Sequence, residues 1–110
     1  MEDRKIDILG TTYTVIDDNS ILDDGYDGFA HVYDKTIKIR PIANMLNGVI
    51  GMNDVEKRAY YREVLRHELL HCIFAETGVE KWEEDEELVT YLSKIYPKMQ
   101  RIFGELGCAS

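Results

Sequence analysis

The first forty residues of the chain alternate apolar and polar side chains in short runs. Residues 5–9 and 12–16 are rich in β-branched and aromatic side chains, which is typical of half-buried strands. Gly10 and Thr11 separate the two runs. This stretch therefore predicts a β-hairpin.

A second hairpin with a two-residue turn is predicted from residues 29–33 and 36–40. Its register would place Ala30 opposite Ile39 on the buried face, and His31 would then lie on the other face. We therefore expect His31 to be a surface or rim residue.

The rest of the chain has a helical period, and a long helix is predicted from Asp54 to Glu76. Asn53 is followed three residues later by Glu56, which is the pattern of a capping box. Gly78 can supply the left-handed residue that ends the helix. The apolar residues around positions 64–74 predict a helix buried over much of its surface.

A second helix is predicted behind the acidic run at residues 83–87, since acidic side chains favour a helix N-terminus and residues 88–95 supply an apolar stripe. Pro97 is expected to end or kink this helix and to open a short third helix. That helix would run through about Phe103 and stop at Gly104.

These elements predict an α+β fold. A small N-terminal antiparallel sheet of two hairpins would pack on the long helix, followed by the second helix and the short C-terminal one. The 110 residues suffice for one core. We expect a single domain with a strand-rich part at residues 1–52 and a helical part at residues 53–110.

The long helix contains the sequence HELLH at residues 67–71. Residues four apart lie on the same helix face, so His67 and His71 can offer two imidazole nitrogens to one metal ion. Glu68 has the position of the general base in metalloproteases that carry this motif on a helix. Zinc lowers the pKa of a coordinated water to about 7, and such a carboxylate takes its proton as the water attacks a carbonyl. The motif predicts a Zn²⁺ cofactor and hydrolytic chemistry.

A catalytic zinc ion usually has three protein ligands. With His31 expected on the far face of its strand, the third ligand should be a carboxylate from the acidic run. The five carboxylates at residues 83–87 are the candidates, and helical spacing places Glu87 beside Tyr91 on the apolar stripe.

HELLH followed by DEELV at residues 85–89 resembles the gluzincin arrangement, in which a Glu on the next helix is the third ligand. The chain is most similar to the small zincin-like metallopeptidases of phages and mobile elements, including the family that cleaves repressors. The likeness continues through a Glu three residues before Val89 and a later Pro97-Lys98 pair. It extends less specifically to IDILG at residues 6–10, followed by Tyr13.

The resemblance implies a zincin-like fold and assigns Glu86, fifteen residues after His71, as the third ligand. Glu87 is the second choice and Glu84 the third. Larger gluzincins have a second domain that forms the far wall of the substrate cleft, and a chain of this length is not expected to provide one.

Charge and composition restrict the classes of binding partner that we expect. The formal net charge of −8 argues against nucleic acid and disfavours an anionic membrane surface. No run of 18 apolar residues and no apolar signal core is present, so we expect a cytoplasmic protein.

Cys72 should be a small buried residue and Cys108 a free thiol. An EF-hand at residues 23–34 is disfavoured because glycine occupies its third position.

The pattern favours a zinc-dependent metallopeptidase acting on a peptide or protein substrate. A zincin-like regulatory or interaction protein, in which the metal is structural or sensing, is the alternative. A metal-free protein with surface histidines is a third. The intact Glu68 favours the enzyme.

Overall fold

A computed structural model of the chain describes residues 3–18, 26–44 and 51–110. Four strands come first: β1 (Arg4–Ile8), β2 (Thr11–Asp17), β3 (Gly28–His31) and β4 (Thr36–Ile39). A short 3₁₀ helix (Ile42–Asn44) and three α-helices follow: α1 (Asp54–Thr77), α2 (Glu80–Glu83) and α3 (Glu86–Glu105). The predicted α+β class is confirmed.

The strands form one sheet in the order β1-β2-β4-β3. Both hairpins are present, since β1 pairs antiparallel with β2 and β3 pairs antiparallel with β4. However, β2 and β4 are parallel, with Val15 opposite Ile37. The expectation of an antiparallel sheet is therefore wrong and the sheet is mixed. Because β4 takes the place beside β2, β3 becomes an edge strand.

The second hairpin has a different register from the one expected. Ala30 pairs with Ile37 instead of Ile39, and residues 32–35 form a four-residue turn. The shift is by two residues, so it preserves which side chains share a face. His31 accordingly stacks on Phe29, with ring centroids 4.6 Å apart, and Ala30 packs against the core.

Helix α1 begins and ends as its capping residues predict. The Asn53 side chain accepts a hydrogen bond from the Glu56 backbone N–H, and the Glu56 carboxylate accepts one from the Asn53 N–H, at 2.8 and 3.0 Å. Gly78 ends the helix with φ of 80°. These two ends fix the length of the helix that carries the HELLH residues.

The core lies between the sheet and α1. Its buried members are Ile8, Tyr13, Val15, Ile37, Ile39 and Cys72. Cys72 is fully buried, as expected, and Cys108 is exposed and free. The expectation that α1 is buried over much of its surface is wrong on the side facing α3. There Ile73 is 37% exposed and an apolar cavity of about 340 Å³ separates the two helices.

Helix α3 runs through Pro97 without a break, so the expected third helix does not exist as a separate element. Proline has no N–H, and the carbonyl of Ser93, four residues earlier, loses its helical partner. Arg66 on α1 donates a hydrogen bond to that carbonyl at 2.8 Å. Gly104 lies inside the helix, which ends at Glu105.

The packing of α3 on α1 positions the start of α3. Val89 is fully buried and Ser93 nearly so, and the Asp85 side chain caps the helix by accepting a hydrogen bond from the Leu88 N–H at 3.0 Å. Glu86, the first residue of α3, is thereby held close to α1. Within the described ranges, no helix has both the length and the apolar composition needed to cross a membrane.

Candidate metal centre

Three side chains from two helices converge next to the sheet. The Nε2 atoms of His67 and His71 lie 3.3 Å apart. The Glu86 carboxylate lies 3.0 Å from His67 Nε2 and 2.6 Å from His71 Nε2. In the part of the chain that the structure describes, this is the one group of three or more His, Cys, Asp or Glu residues close enough to hold a metal ion.

The donor set of this group suits zinc. Bonds of about 2.0–2.1 Å in a tetrahedral site place the donor atoms about 3.3 Å apart. Two of the three observed separations, 3.0 and 3.3 Å, are near that value, and the shorter one is a direct carboxylate–imidazole contact. Two imidazoles and one carboxylate are also a common ligand set of catalytic zinc. The residues present therefore fit the ion.

A hydrogen bond on the side of the ring away from the donor group fixes the orientation of His71. Its Nδ1 lies 2.7 Å from the backbone carbonyl of Glu83 at the end of α2. A ring nitrogen facing a carbonyl must carry the proton, so Nε2 keeps its lone pair free to act as a ligand. Burial lowers the pKa of His67 from its ordinary value, which favours the neutral form that metal binding requires.

Glu68 is 8% exposed and lies beside the donor group. The backbone N–H of Ala30 on β3 donates a hydrogen bond to its carboxylate, and burial raises its pKa to about 7. A carboxyl group with a pKa near the working pH can both accept and return a proton. The position and the environment of Glu68 suit a general base.

Gly28, at the start of β3, contacts the same side chain. A Cβ atom at this position would lie 2.9 Å from Val64 Cγ1 and 3.1 Å from Glu68 Cγ. Both distances are shorter than ordinary van der Waals contact. Glycine therefore allows β3 to approach α1 and to form a wall against Glu68. No local pattern indicates this role, because Gly28 lies in an Asp- and Gly-rich stretch that predicts a loop.

A cleft of about 450 Å³ opens over the donor group. It lies between the edge strand β3, the HELLH turn of α1 and the acidic start of α3. A second cleft of about 240 Å³ adjoins it, and both are lined by Tyr26, Gly28, His67 and Glu68. The donor group is thus accessible from an open groove with two connected parts.

A buried polar network fixes the wall before β3. Asp27 accepts a hydrogen bond of 2.7 Å from the Tyr60 hydroxyl and lies 3.6 Å from the Arg40 guanidinium. Arg40 also donates to the Tyr26 carbonyl at 2.8 Å. Asp27 is thus paired within the protein, which leaves it unsuited as a calcium ligand. Residues 23 and 25 of the rejected EF-hand lie outside the described ranges.

The other sequence candidates lie apart from the donor group. Glu87 is exposed and Glu84 caps the end of α2, and neither belongs to the cluster. His31 lies at the end of β3 beside Phe29. Of the three carboxylates ranked, the structure brings Glu86 to the two histidines.

Comparison with protein-family models, with curated proteins and with solved structures finds no match to this chain.

Proposed function

We propose that the chain is a zinc-dependent metallopeptidase with a minimal zincin-like fold, which hydrolyses a peptide bond in a peptide or protein substrate. One observation carries the proposal. His67 and His71 on α1 and Glu86 on α3 bring three metal donors together, and a buried carboxylate, Glu68, lies in the general-base position beside them. The resemblance of the motif residues to the repressor-cleaving family supports a protein substrate.

The side chains have separate roles in this mechanism. His67, His71 and Glu86 hold the ion, which when bound supplies Lewis acidity toward a water and the scissile carbonyl. Glu68 accepts the proton of the attacking water and returns it to the leaving amine. The Ala30 N–H holds the Glu68 carboxylate in place.

Strand β3 is suited to hold the substrate. It is at the edge of the sheet and forms one wall of the larger cleft. The Ala30 N–H is bonded to Glu68, but other backbone groups on the outer side of an edge strand can bind an extended peptide by strand addition. A peptide bound there would lie across the donor group and next to Glu68.

The alternative is a regulatory zincin-like protein in which the metal is structural or sensing. One observation favours it: the donors come from α1 and α3, so an ion would also join two helices. The buried Glu68 favours the enzyme, because a structural site needs no carboxylate beside its ligands.

Zinc content and turnover of matched variants separate these functions. The probe is a peptide mixture from a whole-proteome digest, with cleavage read by mass spectrometry. We expect about one zinc per wild-type chain. Glu68→Gln should keep zinc and lose turnover about 10²-fold or more, and Glu86→Gln should bind zinc far more weakly. Glu87→Gln, which removes a neighbouring carboxylate, should change neither.

Full turnover in zinc-loaded Glu68→Gln would rule out the general-base role. Unchanged zinc affinity in Glu86→Gln together with loss in Glu87→Gln would transfer the ligand to Glu87. Stoichiometric zinc in a wild type that cleaves nothing would favour the regulatory function.

A further inference from the structure

The smaller cleft beside the metal centre has the size of a side-chain pocket. It adjoins the larger cleft at Gly28, His67 and Glu68 and extends between α1 and α3, where Tyr60, Glu63, Val64, Thr90 and Ser93 line it. Its volume of about 240 Å³ corresponds to roughly eight water molecules at about 30 Å³ each. A lysine side chain has five non-hydrogen atoms and an arginine side chain seven. A long side chain therefore fits.

The acidic side chains among its described lining residues outnumber the one histidine, His67. The lining includes no Lys or Arg, and its acidic members are Asp27, Glu63 and Glu68. Asp27 is bonded to Tyr60 and Arg40, and the proposed function assigns Glu68 to the attacking water. Glu63 is half-buried, and it takes part neither in the Asp27 network nor in the proposed catalysis.

Glu63 has no partner of its own within the described ranges, where no hydrogen bond or ion pair joins it to another residue. It lies one helical turn before His67 on the same face of α1. The neighbouring Tyr60 hydroxyl donates its hydrogen bond to Asp27, so its oxygen can still accept one from another donor. The wall next to the metal centre thus offers hydrogen-bond acceptors and an uncompensated carboxylate.

We infer that this cleft is a specificity pocket that takes a Lys or Arg side chain of the substrate next to the cleaved bond, with Glu63 as its countercharge. The inference rests on the proposed function and names the substrate class for it. A cationic side chain would donate hydrogen bonds to these acceptors, and a charged hydrogen bond contributes more than a neutral one. The net charge of −8 would also attract basic segments.

A binding experiment tests this pocket without requiring turnover. The full-length Glu68→Gln protein, loaded with zinc, selects from a library of random octapeptides, and the bound peptides are sequenced. We expect Lys and Arg to be enriched at one position. Adding Glu63→Gln should remove the enrichment and weaken the best lysine peptide about tenfold or more. Adding Glu63→Lys should shift the preference at that position to Asp and Glu.

The matched control adds Glu87→Gln, which removes the same charge from an exposed position outside the cleft. It should keep the preference for Lys and Arg. An unselective library, or an enrichment that survives both Glu63 substitutions, would overturn the inference.

The two proposals fail in different ways. If the wild type cleaves at sites with no basic residue at a fixed position, the peptidase function is supported and the specificity pocket is ruled out. If the wild type binds lysine peptides through Glu63 but cleaves nothing, the pocket is supported and the peptidase function is ruled out.

Discussion

The backbone of Gly28 sets the position of Glu68 from the side opposite to the metal ligands. Its missing side chain lets β3 approach α1 so closely that Glu68 Oε2 lies 3.4 Å from the point a Cβ would occupy. The next but one residue, Ala30, donates its N–H to the same carboxylate. Two residues of the edge strand thus contact the Glu68 side chain.

Gly28→Ala should therefore displace Glu68 while leaving the three metal donors in place. The new methyl group would lie 2.9 Å from Val64 Cγ1 and 3.1 Å from Glu68 Cγ. We expect about 1–3 kcal/mol of lost stability from overpacking. We also expect roughly a 10²-fold loss of kcat for peptide cleavage, with zinc affinity unchanged by titration.

A second substitution can show that the cause is steric. Val64→Ala added to Gly28→Ala removes the closer of the two contacts and should recover part of the lost stability and turnover. Gly104→Ala is the matched control, since a Cβ there has no neighbour within 4 Å. Loss of zinc from Gly28→Ala, or no recovery in the double variant, would contradict this explanation.

At the scale of residues, the sequence predicts which side chains lie together when they belong to the same helix or strand. His67 and His71 share a face because they lie four apart on a helix. Glu86 belongs to another helix, and the sequence pointed to it through a resemblance instead of geometry. Two other contacts could not be predicted from residue types: the Glu83 carbonyl lies against His71, and the Gly28 backbone lies against Glu68. Tertiary packing brings these backbone atoms to the site.

At the scale of elements, one carboxylate joins the end of α1 to the sheet. Glu76 accepts hydrogen bonds from the Tyr13 hydroxyl at 2.6 Å, from Thr11 at 2.7 Å and from the Lys35 ammonium at 3.1 Å. These bonds, the one from Tyr13 first, lower its pKa from 4.5 to about 2. The contact holds the helix that carries the HELLH residues in register with β2 and with the turn before β4.

This network predicts a specific acid sensitivity. The folded-state pKa of Glu76 lies below its unfolded value, so its contribution to stability is complete above about pH 4.5 and is lost as the pH falls toward 2. We expect the difference in free energy of unfolding between wild type and Glu76→Gln to shrink over that interval. Denaturant titrations at pH 7, 5, 4, 3 and 2 measure it.

The exposed Glu105 provides the control, because Glu105→Gln removes the same charge from the end of α3. Its difference from wild type should stay small at every pH. A wild type and a Glu76→Gln variant that lose stability in parallel from pH 5 to 2 would contradict the assigned role.

The four strands and helix α1 were predictable from local pattern, but the pairing of the strands and the extent of α3 were not. Asn53 and Gly78 are local signals, and both ends of α1 follow them. The parallel pairing of β2 with β4 depends on where the intervening segment returns to the sheet, which no local pattern encodes. The continuity of α3 depends on Arg66, 31 positions before Pro97 along the chain, which satisfies the carbonyl that proline leaves without a partner.

At the scale of the whole molecule, the proposed metal ligands connect α1 to the start of α3. Helix α3 is held on α1 by a few buried residues, Val89 and Ser93 among them, and an open apolar cavity lies between the two helices further along. The Glu86 side chain is 67% exposed. A metal ion would thus add a link between two helices whose packing is open further along.

Zinc should therefore stabilise the folded chain. An ion that binds the native state alone adds about 2.7 kcal/mol when its free concentration is 100 times Kd. For a domain of this size that corresponds to a rise in Tm of roughly 10 °C. We expect this rise in calorimetry of the metal-free protein titrated with zinc, and its reversal by a chelator. His71→Ala and Glu86→Gln should abolish it, whereas Glu68→Gln and Glu87→Gln should keep it. Equal shifts in all four variants would mean that zinc binds elsewhere. A Tm that zinc leaves unchanged in the wild type would contradict the metal centre itself, whatever the protein cleaves.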